Sequence, residues 1–435
     1  MKRLFSGALI LGVLLFSLQA LADEPKIAPP PKNKEEIIQR MKVTYNQHIL
    51  PQDASPLVLE HLLEIGEVII FYDNPPVVDW MSAAGILINA PIEIVFETIT
   101  DFDHYSEFVP MTEKAVAHKI YDNFYQVDYQ LNVRLAIISY KMNYGVYHYH
   151  RPPYRSDWCY AWGDFENNMC IGFYELIPTA DGKRTMAFYS VYSQPRSRLL
   201  RYIYSKNPVL EKLINVSTAT LVIRAIKQEA EKRYKEQGGK ITHQSKPKPI
   251  FQVLEEDPES MKKILAQGKL LLLEDTSPVY VTAGSLVKAD LKESWKVISN
   301  FPRYPEFIPG VKSVDCLGWG EKGPKYHWEI DMDLGIFHYK YGYDAEYEIK
   351  APYLARWSIP IKDKPSAQGF WKLIPVDSQT LIFNGSTADL RSMGWLLRAM
   401  LKIEPTFEHA LLTSQSLVNI SYITDEIEKK ARPEK

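Results

Sequence analysis

The sequence runs to 435 residues, 46% hydrophobic and 24% charged, with a formal net charge of −2. That length implies two or three domains with real cores, and the balanced charge excludes the basic stripe of a nucleic-acid binder. The 27 Tyr, 17 Phe and 9 Trp fit either large cores or apolar pockets, because each ring buries much area.

In chain order, Lys2 and Arg3 precede an apolar stretch from Ala8 to Leu18, followed by Ala20-Leu21-Ala22. This is the pattern of a secretory signal peptide cut after Ala22, and it predicts a periplasmic or secreted protein. Without Lys2 and Arg3, 49 basic residues face 53 acidic ones, a net charge of −4. No later stretch reaches the ~18 apolar residues of a membrane span. Residues 23–50 read as an N-terminal tether: DEPKIAPPPKNK is polar and proline-rich, with a short helix over Glu35 to Gln47.

The remaining chain repeats itself. AGILINAPIEIVFETITDFDHYSEFVP (Ala84 to Pro110) matches AGSLVKADLKESWKVISNFPRYPEFIP (Ala283 to Pro309) at a shift of 199. Tyr140, Tyr144, Pro153, Tyr154 and Trp158 match Tyr339, Tyr343, Pro352, Tyr353 and Trp357 at the same shift. GFYELIP (Gly172 to Pro178) matches GFWKLIP (Gly369 to Pro375) at 197. LEIGEVII (Leu63 to Ile70) resembles ILAQGKLL (Ile264 to Leu271) further upstream. A unit of this size is a duplicated domain and not a solenoid repeat. The expected boundaries are 51–235 and 256–431, joined by a polar linker over 236–255 that holds Gly238-Gly239 and KPKP.

Within each unit the spacing predicts short helices over Pro56 to Ile65 and Pro258 to Gln267, with Pro in the first turn. Further helices are predicted over Pro91 to Thr100 and Leu291 to Asn300. Four alternating strands follow. Trp328, Ile330, Met332 and Leu334 share one face; Tyr129, Leu131 and Val133 do so in the first unit. Alternation of this kind predicts one buried and one wet face. The next strands place Tyr140, Tyr144, Trp158, Tyr160, Tyr174 and Leu176 on the apolar side, as they do Tyr339, Tyr343, Trp357, Trp371 and Leu373. A long amphipathic helix closes each unit, near Pro208 to Arg233 and Pro405 to Lys430. The predicted class is α+β: in each unit a curved antiparallel sheet wraps one long C-terminal helix.

The chemistry-bearing residues are sparse. There is no G-x-S-x-G, G-x-G-x-x-G, phosphate loop or H-E-x-x-H, so neither a catalytic residue nor a cofactor is expected. His148 and His150 share one side of a strand, but no third ligand accompanies them and no metal is assigned. Glu107 and Glu306 recur at matched places beside aromatic residues. One reading makes them pocket acids; the other has them bonding backbone N–H groups of the loop. Ser197 to Lys206 and Met393 to Lys402 mix Arg/Lys with large apolar side chains. They read as first turns of the closing helix or as a lid that touches a membrane transiently. Of the three cysteines, Cys159 and Cys170 flank a hairpin turn near Asp164-Phe165 and are the candidate disulfide.

The pattern Ile-x-x-Phe-x-x-Tyr-x-Glu-Phe-[Val/Ile]-Pro, at Ile99 to Pro110 and with Pro305 in place of Ser106 at Ile298 to Pro309, resembles the START-like superfamily, also called SRPBCC. It is most similar to the coenzyme-Q-binding and polyketide cyclase-like branch. That resemblance implies two helix-grip domains, each with an apolar cavity between sheet and helix and no universal catalytic residue. The implied partner is an apolar small molecule: a lipid, a quinone or a polycyclic compound. A cyclase or dehydratase using a pocket acid, and an interaction module with filled cavities, are the rival functions. By the same analogy the candidate ligand contacts are Tyr105, Tyr144, Trp158 and Tyr174 in the first unit, and Tyr304, Tyr343, Trp357 and Trp371 in the second. Each of these rings reads equally as plain core.

Overall fold

The computed structural model describes residues 33–45, 47–73, 80–135, 138–195, 208–241, 247–274, 276, 278–333, 338–361, 364–389 and 407–432. The proposed signal peptide and both candidate lid segments lie outside these residues.

Local chemistry sets the helix starts. Asn33 caps α1 (Lys34–Arg40) by accepting from the Glu36 N–H at 2.9 Å, and α2 (Lys42–Tyr45) continues it. Ser55 caps α3 (Pro56–Ile65), with Pro56 in the first turn, where its missing N–H costs nothing. Then come β1 (Gly66–Asp73), β2 (Trp80–Ile88), α4 (Ile92–Thr100) and the short helix α5 (Tyr105–Phe108). Six strands follow: β3 (Thr112–Tyr121), β4 (Phe124–Leu135), β5 (Ile138–Arg151), β6 (Arg155–Gly163), β7 (Phe165–Pro178) and β8 (Thr185–Pro195). The long α6 (Pro208–Glu236) ends the first unit.

The second unit repeats this order. Asp257 caps α8 (Pro258–Leu265), which follows α7 (Ile250–Glu256). Next are β9 (Gly268–Glu274), β10 (Tyr280–Val287) and α9 (Leu291–Ile298), the last capped by Asp290. The strands β11 (Val311–Trp319), β12 (Pro324–Asp333), β13 (His338–Lys350), β14 (Leu354–Ile361), β15 (Lys364–Val376) and β16 (Gln379–Ala388) lead to α10 (Phe407–Ala431). The fold is α+β with two helix-grip units.

The two sheets are one. The strand order is β11-β12-β13-β14-β15-β16-β10-β9-β1-β2-β8-β7-β6-β5-β4-β3, antiparallel at every pairing. β1 pairs with β9 from Gly66↔Glu274 to Tyr72↔Gly268. Ile69 faces Leu271, and each lies three residues after the glycine that opens its strand. A pseudo-twofold axis therefore passes between Ile69 and Leu271, and the units meet as the two halves of an isologous dimer do.

Helices cover both faces of this sheet. On the concave face, α6 rests on β2 and β8 and α10 on β10 and β16, and the two helices touch. On the convex face, Ile37, Met41, Leu59, Leu62, Val253, Leu254 and Met261 pack against Val68, Ile70, Phe173, Leu272 and Phe383 as a second core. The expectation of one wet face fails here. The short helix expected over Glu35 to Gln47 is present as α1 and α2, and Ile37, Met41 and Thr44 are fully buried against the sheet. Likewise α7, which falls inside the expected linker, is docked by the buried Val253 and Leu254.

A charged network holds the N-terminal helices. Arg155 is buried on the convex face; it donates to Glu175 at 2.5 Å, to Asp157 at 2.9 and 3.0 Å, and to the Thr44 carbonyl. Its guanidinium lies 4.0 Å from the Phe173 ring centroid. The Ile49 N–H donates to the same Glu175 carboxylate at 3.2 Å. In the second unit Arg356 lies over Phe251 of α7, at 5.1 Å.

Candidate functional site

The repeated Ile-Phe-Tyr motif is a helix terminus. The last carbonyls of a helix have no intrahelical donor. The Tyr105 hydroxyl donates to the Ile99 carbonyl at 2.6 Å at the end of α4. The Tyr304 hydroxyl donates to the Ile298 carbonyl at 2.8 Å at the end of α9. Phe102 and Phe301 pack against these tyrosines, with ring centroids 5.2 and 5.6 Å apart. Tyr105 and Tyr304 are thus buried pins whose polar atoms are engaged by backbone.

The repeated Gly-Phe-[Tyr/Trp] motif admits an indole. Gly172 faces Trp158 across the β6–β7 ladder and Gly369 faces Trp357 across β14–β15. A Cβ on Gly172 would lie 2.1 Å from Trp158 Cζ2, and one on Gly369 would lie 2.6 Å from Trp357 Cζ2. Only glycine lets each indole lie across its neighbouring strand.

All eight aromatic residues singled out from the sequence lie on the concave side, in two groups of four, one per unit. They differ in surroundings. Trp158, Tyr174 and Trp371 are buried, whereas Tyr144, Tyr343 and Trp357 keep accessible surface. Further rings that keep surface in the first unit include Tyr129, stacked on Tyr144 at 5.2 Å, and Tyr189, 5.3 Å from Trp158 and 4.8 Å from Tyr174. Tyr129 lies on the face that alternation assigns it. Tyr189 belongs to the strand FYSVY, which is apolar on both faces, so alternation gave no signal there.

Loss of hydration raises the phenols of Tyr129, Tyr189 and Tyr343 well above the usual tyrosine range. In the second unit, Tyr343 lies parallel to Trp328, with centroids 6.1 Å apart.

The imidazoles of His148 and His150 also lie on the concave side of β5, beside Phe102 and Trp158. Burial lowers both, His150 to about 4. Among the described residues no group of three His, Cys, Asp or Glu is placed to hold a metal ion. The matched acids are not pocket acids: Glu107 is exposed, and Glu306 is exposed and bonded to Arg303 at 3.0 Å.

The expected disulfide is corrected. Trp158 pairs with Gly172, so the ladder offsets Cys159 from Cys170 by one residue. Side chains alternate along a strand: Cys159 enters the convex core and Cys170 the concave one. Both are free thiols, and burial pushes Cys159 up to about 12.

Residues 287–409 match the family model for polyketide cyclase / dehydrase and lipid transport. The match falls within the second unit, and the first unit repeats the element order of that unit. Among solved structures, the di-domain ARO/CYC StfQ from the steffimycin biosynthetic pathway aligns over 80% of this chain and 99% of its own, at 11% identity and a TM-score of 0.28. A STAR-related lipid transfer protein from Xanthomonas axonopodis aligns over 37% of this chain and 94% of its own, at 11% identity and a TM-score of 0.27. A START superfamily protein from Mycobacterium smegmatis aligns over 35% and 98%, at 14% identity and a TM-score of 0.28. Comparison with curated proteins returned no match.

Proposed function

We propose that this chain is a START-like tandem and a carrier. Each domain encloses an apolar small molecule, such as a lipid, quinone or polycyclic compound, between its concave sheet and its long helix, and releases it unchanged. The observation that carries the reading is the set of concave rings, Tyr129, Tyr144 and Tyr189 in one domain and Tyr343 and Trp357 in the other, that keep accessible surface on the sheet face covered by the long helix. Apolar pockets with a few polar groups are the usual form of a small-molecule site. Burying a ligand there gains about 25 cal/mol per Å² of apolar area. Glu107 and Glu306, the acids that recur in both domains, are exposed, which argues against their acting as the acid of a ligand conversion.

The compartment belongs to the same proposal: the leader over residues 2–22 would deliver the chain to the periplasm or outside the cell. Native mass spectrometry of the protein purified from an export-competent host tests both points. The expected result is a chain beginning at Asp23, with a co-purifying apolar compound that extracts chemically unchanged. A ligand-free protein that also fails to bind the uncharged probe N-phenyl-1-naphthylamine would sink the carrier reading.

A further inference from the structure

The concave wall of the first domain holds a polar cluster that the second domain lacks. His148 and His150 are 3% and 6% exposed. The Nε2 atoms of both rings have no hydrogen-bond partner among the described residues. His148 Nδ1 lies 3.3 Å from the Ser156 hydroxyl. His150 stacks on Tyr125 at 4.8 Å and meets the Phe96 edge at 6.0 Å. Buried polar atoms are nearly always bonded, and an orphan at such depth calls for an explanation.

The fold does not require this cluster. His148 pairs across the ladder with Trp158, and His150 with Ser156. At the matched ladder positions of the second domain, Tyr347 pairs with Trp357 and Ile349 with Ala355. Two imidazoles and a hydroxyl have thus been exchanged together for a phenol and two apolar side chains, on the same strands and in the same register.

The cluster adjoins the partly exposed concave rings: His148 is 5.6 Å from Trp158, and Trp158 is 5.3 Å from Tyr189, which keeps accessible surface. No carboxylate or cation bonds to either ring among the described residues. A charged ligand group would stand there without a counter-ion, which burial penalises heavily. A neutral imidazole offers one donor and one acceptor, which suits a hydroxyl or carbonyl oxygen.

We propose that the first domain anchors its ligand through an uncharged oxygen, a hydroxyl or carbonyl, bonded to Nε2 of His148 and His150, and that the second domain has no such anchor. This rests on the carrier reading and narrows its ligand class to amphipathic molecules with a neutral polar end. A site built to bond an oxygen discriminates against the analogue that lacks it.

The test compares naphthalene with 2-naphthol, which differ by one hydroxyl, as ligands of the full chain by calorimetry. The expected result is a preference for 2-naphthol of about tenfold, about 1.4 kcal/mol, at one site per chain. The variant H148Y/H150I, which installs the second domain's residues, should bind the two probes alike. A preference that survives in the variant overturns the proposal, as does equal binding of both probes by the unaltered chain; either result leaves the carrier reading standing. Binding of neither probe overturns both. A second measurement needs no variant: nitrogen NMR of the imidazoles in the unaltered chain. 2-Naphthol should shift the Nε2 resonances and naphthalene should not; unmoved Nε2 resonances in the 2-naphthol complex overturn the proposal.

Discussion

Replacing Tyr105 and Tyr304 by Phe separates a fold motif from a ligand contact. The ring volume is kept, so no cavity opens, and only the hydroxyl is lost. In each case a buried helix-end carbonyl, of Ile99 or Ile298, loses its donor. A neutral hydrogen bond of this kind is worth about 1 kcal/mol net, and the orphaned carbonyl adds to that, so each change should cost about 1–2 kcal/mol. Tyr105 should be the costlier site, because its hydroxyl also accepts from Tyr174. The pins sit in different domains, so the losses should add in the double variant. Urea unfolding gives the stabilities, and titration with N-phenyl-1-naphthylamine gives the affinity, which should change by less than about twofold. By contrast, Tyr189→Ala, which removes a partly exposed concave ring, should weaken the probe by about tenfold or more. Unchanged stability together with weakened binding in Tyr105→Phe would refute the assignment of this motif to the fold.

Three further outcomes are expected. Arg155→Met leaves the buried Glu175 carboxylate without its guanidinium partner and Asp157 with Arg151 alone; denaturant titration should show a loss of about 3–5 kcal/mol, with faster amide exchange in α1. His150 titrates near 4 in the folded chain and near 6.5 when unfolded. Both states are neutral above pH 7, and below 6.5 the unfolded state takes the proton first, so stability falls with pH by up to about 3 kcal/mol at pH 4. His150→Ile should flatten that part of the profile, and an unchanged profile would contradict the burial. Cleavage in the exposed segment around Gly238-Gly239 should yield two fragments that co-elute on gel filtration, because the β1–β9 ladder still joins them; fragments that separate without denaturant would disprove the shared sheet.

The concave face was legible in the sequence because it alternates: Trp328 and Ile330, like Tyr129 and Leu131, point where period two places them. The convex face was not, and the reason is electrostatic. Arg155, Asp157 and Glu175 punctuate β6 and β7 as solvent-facing residues do, yet with Arg151 they pair with one another beneath α1 and α2. Charge in a strand signals water only when it has no partner. The same parity rule that located the pocket face also ruled out the Cys159–Cys170 bridge: the ladder register differs by one from the estimate, and one residue is the difference between faces. Tyr105 and Tyr304 were placed correctly on the concave side, but a motif cannot tell whether a hydroxyl serves a ligand or a carbonyl.

The joining of the sheets was written in β1 and β9, although neither repeat reveals it alone. VIIFY and LLLL are apolar without alternation, the mark of a strand buried on both faces, not of an edge. An isolated domain would expose that strand as an unpaired edge, which is a hazard for aggregation. Each domain covers the other's edge across the pseudo-dyad between Ile69 and Leu271. In a homodimer the same axis would force both halves to carry identical pockets. Within one chain the axis constrains only the seam, and positions away from it are free to diverge. The seam residues keep their apolar character in both halves, while the concave wall has exchanged His148, His150 and Ser156 for Tyr347, Ile349 and Ala355. Divergence of the concave wall, beside a seam that stays symmetric, is what two sites with different ligand requirements would leave behind.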